Sequence, residues 1–293
     1  MNAAARRERL DVRKTYKLYI GGAFPRSESG HTIAVTRPDG TVIAHASKAS
    51  RKDLRDAVNA ARGAQPGWAA RTAYNRGQIL YRIAEMMEGR RSQFVDELVT
   101  LGASRRHATG EVDTAVDRWV WYAGWADKVA LLAGTVDPVA GPYFTFTVPE
   151  ATGVVGIFAP EEAPLLGLVS RVAPAVVSGN TVVVLASRAG PLPAVTLAEV
   201  LATSDLPAGV VNVLTGDKEP LASWLLGHGN VDAVDLAGAP TLDGEVLGEA
   251  AVNLKRLVGQ GLDSTDWTSP RAQSLDCVLD LVELKTVWHP TGI

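Results

Sequence analysis

The sequence of 293 residues has little of the chemistry that catalytic and metal sites usually need. It contains one cysteine, Cys277, which excludes an internal disulfide and any metal site built from several thiolates. The five histidines are His31, His45, His107, His228 and His289. None of them forms a pair at metal-ligand or catalytic spacing, so neither a zinc site nor a serine–histidine arrangement is indicated.

Long apolar runs and an excess of one charge are also missing. The longest apolar stretch is interrupted by Ser178, Gly179 and Asn180, so no transmembrane segment is predicted. The net charge of −3 argues against a nucleic-acid-binding surface. Residues 1–17 are basic but no apolar segment follows them, so no secretory signal is expected and a cytoplasmic location is predicted.

What is present at the start of the chain predicts a hairpin followed by helices. Tyr16–Pro38 alternates apolar and polar residues around Gly21–Gly22, which is typical of a β-hairpin. Ser50 begins a capping box, and apolar residues at helical spacing follow it. The next periodic segments predict helices that end near Gly89 and Gly102.

Residues 113–136 place four aromatic side chains in one predicted helix. They are Trp119, Trp121, Tyr122 and Trp125. Because they lie on more than one face of the helix, burial on more than one side is expected. Two alternatives explain this burial equally well: an interface with another chain, or packing within the domain.

From Gly153 onward the pattern changes to alternating strands and helices. Short runs rich in valine and isoleucine, separated by helical segments, predict a parallel sheet covered on both faces, and hence an α/β fold. The turn after the first strand carries Glu161 and Glu162. Adjacent carboxylates in a turn are expected to be solvated.

The remaining segments predict an extended arm. Tyr143–Gly153 alternates strictly and indicates an exposed strand, whereas residues 258–276 are polar and aperiodic, as in a linker. Residues 277–293 indicate a long strand with two apolar faces that must pair with another strand, and Cys277 would begin it.

Taken together, these segments resemble the aldehyde dehydrogenase superfamily. "YKLYIGGAF" resembles its entry hairpin, "GVVGIFAPEEAPL" its strand–turn–helix G-V-V-G-x-I-x-P-W-N-x-P-L, and "PAVVSGNTVVVLASR" its P-A-L-A-x-G-N-x-V-V-x-K-P-S-E. "LPAGVVNVLTG", "DLAGAP" and "VELKTVW" resemble later family segments. The resemblance covers roughly Tyr16–Gly248 and the last dozen residues. It implies a Rossmann-like cofactor-binding domain with a small β oligomerisation arm.

The resemblance also implies that several functional positions have changed. The family's catalytic-loop asparagine, which stabilises an oxyanion, falls on Glu162, where a carboxylate would repel that charge. The lysine and glutamate that hold the ribose hydroxyls fall on Leu185 and Arg188. The threonine and serine of the phosphate-side turn fall on Ala237 and Ala239. The cofactor site is therefore expected to be degenerate.

No catalytic residue is expected in this chain. In the family, a catalytic domain with a glutamate base and a cysteine nucleophile follows the region that "NLKRLV" resembles, but residues 258–276 are too few for a domain. Cys277 does not match that nucleophile and has no histidine or lysine beside it, so a structural thiol is expected. The adjacent acids could in principle form a metal or acid–base site, but no metal ligand is predicted.

The first of two functional hypotheses is a non-catalytic subunit that assembles with a full-length aldehyde dehydrogenase as a structural or regulatory partner. The resemblance implies an arm that docks on the neighbouring subunit's catalytic domain, which a copy of this chain lacks. A hetero-oligomer is therefore predicted first and a homo-oligomer second.

The alternative is a minimal NAD(H)-binding module, or a stand-alone homo-oligomer with weak cofactor binding. A dinucleotide would then rest on the vestigial Pro160, Gly216 and Gly238 and on the helix start after Pro160. Glu161 and Glu162 would place like charges beside it, each contact costing on the order of a few kcal/mol. A helix end contributes only about 0.3–1 kcal/mol, so NAD is expected to bind weakly if at all.

The predicted organisation has five parts. Residues 1–134 hold the hairpin and helices of the cofactor-type domain, 135–152 the first part of the arm, 153–257 the Rossmann-like core, 258–276 the linker that replaces the catalytic domain, and 277–293 the C-terminal oligomerisation strand.

Overall fold

The computed structural model of the protein describes residues 12–262 and 265–292. The helices are α1 (Arg51–Ala69), α2 (Ala73–Glu88), α3 (Arg91–Thr100), α4 (Arg105–Trp125), α5 (Val129–Ala133), α6 (Leu166–Val177), α7 (Pro191–Leu201), α8 (Glu219–Gly227), α9 (Gly244–Gly248) and α10 (Asp276–Leu279). The strands are β1 (Thr15–Tyr16), β2 (Thr32–Thr36), β3 (Val42–Ser47), β4 (Thr135–Asp137), β5 (Tyr143–Ala151), β6 (Val154–Phe158), β7 (Thr181–Leu185), β8 (Val211–Leu214), β9 (Ala233–Asp235), β10 (Arg256–Val258) and β11 (Val282–Pro290).

Five parallel strands form the central sheet, in the order β10–β9–β6–β7–β8. Every residue of β6 and β7 is buried, because α6 packs on one face of the sheet and α1 and α8 on the other. The predicted α/β fold and parallel sheet are confirmed. β10 forms one edge of the sheet and ends at Val258, which is one residue after the predicted end of the Rossmann-like core at residue 257.

The predicted hairpin around Gly21–Gly22 is confirmed only for its turn. Ile20 and Ala23 exchange backbone hydrogen bonds of 3.0 Å, and both glycines have positive φ. The strand that follows pairs elsewhere: β2 lies antiparallel to β3, and β1 lies parallel to β3 on its other side. The alternating pattern marked the strands correctly but not their partners.

The helix boundaries follow local signals. At the start of α1, Ser50 N donates to Asp53 Oδ2 at 2.8 Å and Asp53 N donates to Ser50 Oγ at 3.2 Å, which confirms the capping box. Helix α2 ends at Glu88, next to Gly89, and α3 ends at Thr100, two residues before Gly102, as predicted.

The aromatic helix α4 packs largely within the domain. Trp119 and Tyr122 are fully buried. Trp121 and Trp125 are only half-buried, and their ring centroids lie 5.7 Å apart. Packing inside the domain therefore explains the burial of Trp119 and Tyr122. For Trp121 and Trp125 an interface with another chain stays a prediction.

The arm is a three-stranded sheet with the order β11–β5–β4. All nine residues of β11 pair antiparallel with β5. The segment before β11 is anchored rather than loose, because Trp267, Val278 and Leu281 are buried in the main core. Cys277 lies in α10, so the prediction that it begins the closing strand is wrong: one helical turn is needed there to bury Val278 and Leu281.

A buried acid in α3 gives the fold a pH dependence. Glu97 Oε1 accepts hydrogen bonds from Thr196 Oγ1 (2.7 Å) and Gln93 Nε2 (3.2 Å), whereas Oε2 has no partner among the described residues. Burial raises the pKa of Glu97, and these hydrogen bonds offset part of that rise. The folded state therefore binds a proton more tightly than the unfolded state does.

We expect the free energy of unfolding of the unmodified chain, relative to Glu97→Gln, to fall as the pH rises from the ordinary glutamate range through the raised pKa of Glu97. Urea unfolding of both proteins over a pH series measures this difference. The exposed Glu85→Gln serves as the matched control. A difference between the unmodified chain and Glu97→Gln that stays constant with pH would contradict the prediction.

Candidate functional site

The carboxyl ends of β6, β7, β8 and β9 meet at one edge of the central sheet. In open parallel sheets, ligands bind in the crevice outside these strand ends. Pro160 follows β6, Arg188 follows β7, Gly216 follows β8 and Gly238 follows β9. The structure thus brings the predicted cofactor positions to a single crevice.

The crevice is bridged by Lys218, a residue that the sequence analysis did not single out. Its side chain is 4% exposed, and Nζ donates to the carbonyl oxygens of Ala159 and Gly238 and to Glu161 Oε1. The ammonium group therefore lies between the ends of β6 and β9. A lysine directly after β8, with an acid after β6, was the available sequence signal.

Glu161 extends this bridge to the end of β7. Its carboxylate accepts hydrogen bonds from Ser187 Oγ (2.8 Å), Ala189 N (3.0 Å) and Arg188 N (3.2 Å). Burial opposes ionisation, but the hydrogen bond and charge of Lys218 outweigh it and lower the pKa of Glu161. The prediction that Glu161 is solvated is therefore only partly correct: its side chain is 39% exposed, but its carboxylate pairs with Lys218.

Glu162 differs from its neighbour. It is exposed, as predicted, and adds the only unpaired charge of the two acids. The expected repulsion of an anion by two carboxylates is accordingly halved.

The cations at the crevice mouth are also engaged. Arg188 Nε donates to Asp217 Oδ1 at 2.8 Å, and Lys48 Nζ lies 2.6 Å from Asp217 Oδ2. Hydrogen bonds from Lys48 and Arg188 lower the pKa of Asp217. Three basic side chains, those of Lys48, Arg188 and Lys218, thus share the two acids Asp217 and Glu161, so each cation already has a partner within the chain.

The two vestigial glycines are explained by packing of the chain against itself. Gly216 has a φ of +130°, and a Cβ there would lie 3.1 Å from Ala49 N. A Cβ at Gly238 would lie 2.2 Å from the carbonyl oxygen of Ala159. Neither glycine requires a ligand to account for it.

The other altered positions face inward. Leu185 is 3% exposed and lies in the apolar cluster between the sheet and helices α1 and α8. Ala237 is buried, and its N–H donates to Asp235 Oδ1 at 3.0 Å. Ala239 packs against the same apolar cluster as Leu185. None of these side chains offers a hydrogen bond to a ribose or a phosphate.

The helix start after Pro160 is occupied by an internal carboxylate. Glu111, 3% exposed, accepts hydrogen bonds from Leu165 N (3.0 Å) and Leu166 N (3.1 Å) at the beginning of α6. Burial raises the pKa of Glu111, and these two amides partly offset the rise. An acid on the buried stripe of α4, beside Ala108 and Val112, was the sequence signal that could have revealed it.

Together these contacts do not fit a bound dinucleotide. Lys218 and Glu161 bridge the strand ends, Glu111 takes the amides at the start of α6, and Leu185 is packed in the core. The polar groups at these strand and helix ends are thus already bonded within the chain.

Residues 12–262 and 265–292 contain neither a metal-binding cluster nor a membrane-spanning helix. No group of three histidine, cysteine, aspartate or glutamate side chains there could hold a metal ion. In the same part of the chain, no helix has the length and apolar character needed to cross a bilayer.

Comparison with known proteins places this architecture beside one family. The sequence profile described as "Aldehyde dehydrogenase family" matches residues 24–260. Aldehyde dehydrogenase, cytosolic 1, from Elephantulus edwardii is 33% identical over 250 residues, which cover 82% of this chain and 49% of that protein. Cytosolic 10-formyltetrahydrofolate dehydrogenase from Mus musculus is 32% identical over 264 residues, covering 85% of this chain and 28% of the relative.

Solved structures of aldehyde dehydrogenases also superpose on this chain. An NAD-dependent aldehyde dehydrogenase from Sinorhizobium meliloti superposes with a TM-score of 0.77 at 28% identity, covering 84% of this chain and 50% of that one. Betaine aldehyde dehydrogenase from Staphylococcus aureus, solved in complex with NAD+, gives 0.78 at 26% identity and covers 83% and 49%. The chain spans about half the length of most of the relatives that it matches.

Proposed function

Since this chain belongs to the aldehyde dehydrogenase family, we propose that it is a non-catalytic subunit that assembles with a catalytically complete aldehyde dehydrogenase. In this proposal the chain has a structural or regulatory role in the cytoplasm, and its partner carries out the oxidation. The isolated chain binds NAD weakly or not at all.

The free edge of β11 carries the proposal. β11 is the outer strand of the arm sheet, and its nine residues pair with β5 on one side only within the described part of the chain. Leu284 is 62% exposed and Trp288 is 58% exposed. An exposed edge strand of this length that carries apolar side chains such as Leu284 and Trp288 is a template for a strand of another chain.

The neighbouring strands add exposed apolar side chains on both faces of the arm sheet. Tyr143 of β5 lies on the same face as Leu284 and Trp288, and its ring centroid is 5.7 Å from that of Trp288. Phe144 and Val148 of β5 and Val136 of β4 are exposed on the opposite face. Exposed apolar residues grouped on a sheet indicate a protein interface. The resemblance described above implies that such an arm docks on a neighbouring catalytic domain, and this favours a full-length family member over a second copy of the chain.

The crevice supports the non-catalytic part of the proposal. A hydride-transferring aldehyde dehydrogenase needs a bound dinucleotide and an activated nucleophile. Here Lys218 and Glu161 bridge the crevice, and Cys277 lies in α10 at the base of the arm.

The test is to capture the tagged chain from its own host and measure the native mass of the particle. We expect a complex whose second chain, identified by mass spectrometry, is an aldehyde dehydrogenase with its catalytic domain. The isolated chain should form no NADH from a simple aldehyde, and its melting temperature should not rise with NAD+ or NADH.

Three results would overturn parts of this proposal separately. A particle containing only multiples of the 31.0 kDa chain would support the homo-oligomer. A concentration-dependent thermal shift with NAD+ would support the cofactor-binding module. NADH formation by the pure chain would refute the non-catalytic assignment.

A further inference from the structure

A buried cluster of charged groups lies away from the crevice, where α4, α6 and α10 meet. Arg118 of α4 is 1% exposed and Arg171 of α6 is 4% exposed. Arg171 Nε donates to Asp235 Oδ2 at 2.5 Å, and its Nη1 donates to Cys277 Sγ at 3.4 Å. Arg118 Nη1 donates to the hydroxyl of Ser170, the residue next to Arg171.

The cluster has more positive than negative charge. Asp235 is the one carboxylate that the described residues bring within bonding distance of these guanidinium groups, and it is bonded to Arg171. The acceptor for Arg118 is a neutral hydroxyl, and Arg118 Nε has no partner among the described residues. Burial lowers the pKa of Arg118, as expected for a cation without a counter-ion, while Tyr122 and Cys277 oppose that shift. Buried cations are stable when they are paired, so this cluster lacks an anion.

Cys277 lies where an anion would complete the cluster. Its sulfur accepts a hydrogen bond from Arg171, and Arg118 is bonded to Ser170, the residue next to Arg171. It is partly exposed, whereas both arginines are buried, so solvent reaches the cluster at this residue. Of these three residues, Cys277 is therefore the one that a small oxidant from solvent would meet first.

We propose that Cys277 is a peroxide-modified thiol, and that its sulfinate form supplies a second negative charge to the guanidinium groups of Arg118 and Arg171, which have Asp235 as their one carboxylate within the described residues. This inference does not depend on the proposed partner or on the state of the crevice. It assigns a regulatory modification to the base of the arm.

The chemistry uses two equivalents of a hydroperoxide such as hydrogen peroxide. In the first step the sulfur forms a bond to one peroxide oxygen, the O–O bond breaks, and the thiol proton leaves with the other oxygen as water. The sulfur loses two electrons and the peroxide gains them, giving sulfenic acid. A second equivalent adds another oxygen in the same way, and loss of a proton leaves the sulfinate anion.

Oxidation of Cys277 would affect β11 because α10, which contains Cys277, lies directly before that strand in the chain. Cys277 lies in α10, whose neighbour Val278 is buried in the main core, and β11 begins at Val282. A sulfinate bonded to the guanidinium groups would connect α10 to α4 and α6 by charge-assisted hydrogen bonds. The oxidised protein should hold the base of the arm more firmly than the reduced one.

The first test treats the full chain with hydrogen peroxide and maps the products by peptide mass spectrometry. We expect two oxygen atoms on the peptide that contains Cys277, formed about tenfold faster than in Arg118→Met. The folded oxidised protein should also melt at a higher temperature than the reduced one. Oxidation confined to the methionines, or a lower melting temperature after oxidation of Cys277, would refute the proposal.

The second test replaces the modification by a permanent anion. Cys277→Asp should raise the melting temperature relative to Cys277→Ser, and this gain should disappear when Arg118→Met is also present. Equal effects of Cys277→Asp in both backgrounds would show that the carboxylate does not pair with Arg118 and would overturn the assignment. The comparison between Cys277→Asp and Cys277→Ser stands by itself if Arg118→Met fails to fold, since a lower melting temperature for the aspartate variant refutes the anion site.

Discussion

Replacing Leu284 by proline is expected to abolish assembly with the partner while leaving the chain folded. Thr152 N donates to Leu281 O, and Thr291 N donates to Pro142 O, at the two ends of the β11–β5 ladder. In an antiparallel pair these bonds alternate, so the odd-numbered residues of β11 turn their N–H groups toward β5 and the even-numbered residues turn theirs outward. Proline at 284 removes an outward donor and adds a ring at the edge where a partner strand would pair.

We expect the dissociation constant of the complex to rise by about a hundredfold or more, the equivalent of about 2.8 kcal/mol. Leu284→Ala is the matched control, because it removes the exposed side chain but keeps the N–H group. Lys285→Pro is the second control, because its N–H faces β5 and its loss should disrupt the arm itself. Analytical ultracentrifugation measures assembly, and circular dichroism checks folding. If Leu284→Pro assembles as well as Leu284→Ala, partner binding does not use this edge.

The second large effect concerns the buried ion pair behind β9. Arg171→Met is expected to lower the free energy of unfolding by about 3–5 kcal/mol, because it leaves a buried carboxylate without its cation. Asp235 is fully buried, and besides the bond from Arg171 it accepts a hydrogen bond from the Ala237 N–H at 3.0 Å. Chemical denaturation of the variant and the unmodified chain measures the loss.

Two variants test the cause of that loss. Arg91 contacts Asp113 through two hydrogen bonds of 2.6 and 2.9 Å, but both side chains are exposed. Arg91→Met should therefore lower the free energy of unfolding far less than Arg171→Met does. Adding Asp235→Asn to Arg171→Met should recover part of the stability, because it removes the uncompensated charge. No recovery would mean that lost packing, not the unpaired carboxylate, accounts for the change.

Local patterns predicted the fold better than they predicted the site. The runs of β-branched residues in β6 and β7 indicate buried parallel strands, and Ser50 marks a helix start, because these signals depend on neighbours in the sequence. The pairing of β2 with β3 depends on which strand lies nearby in space. Periodicity identifies a strand but does not name its partner.

In the crevice, too, the sequence predicted local features but not the contacts made by residues that are distant in the chain. The sequence identified Glu161 as an acid in a turn, but its protonation and exposure depend on Lys218, which lies 57 residues away in the chain. Glu111 and the start of α6 are likewise separated by 54 residues. Such partners come from tertiary packing, so a solvated acid was the natural prediction for Glu161 and the role of Glu111 could not be assigned.

The arm sheet has a consequence for the order of folding. Thr152 and Glu283, at the base of the β5–β11 pair, are 131 residues apart in the chain. Closing a loop of this length costs about 4 kcal/mol of chain entropy, so the pair forms after the more local contacts of the central sheet. At ribosomal speeds of about 5–20 residues per second, β5 is made on the order of ten seconds before β11. During that interval one edge of β5, with Phe144 and Val148 beside it, is open to strands of other nascent chains, so synthesis of this chain next to its partner would favour the correct assembly.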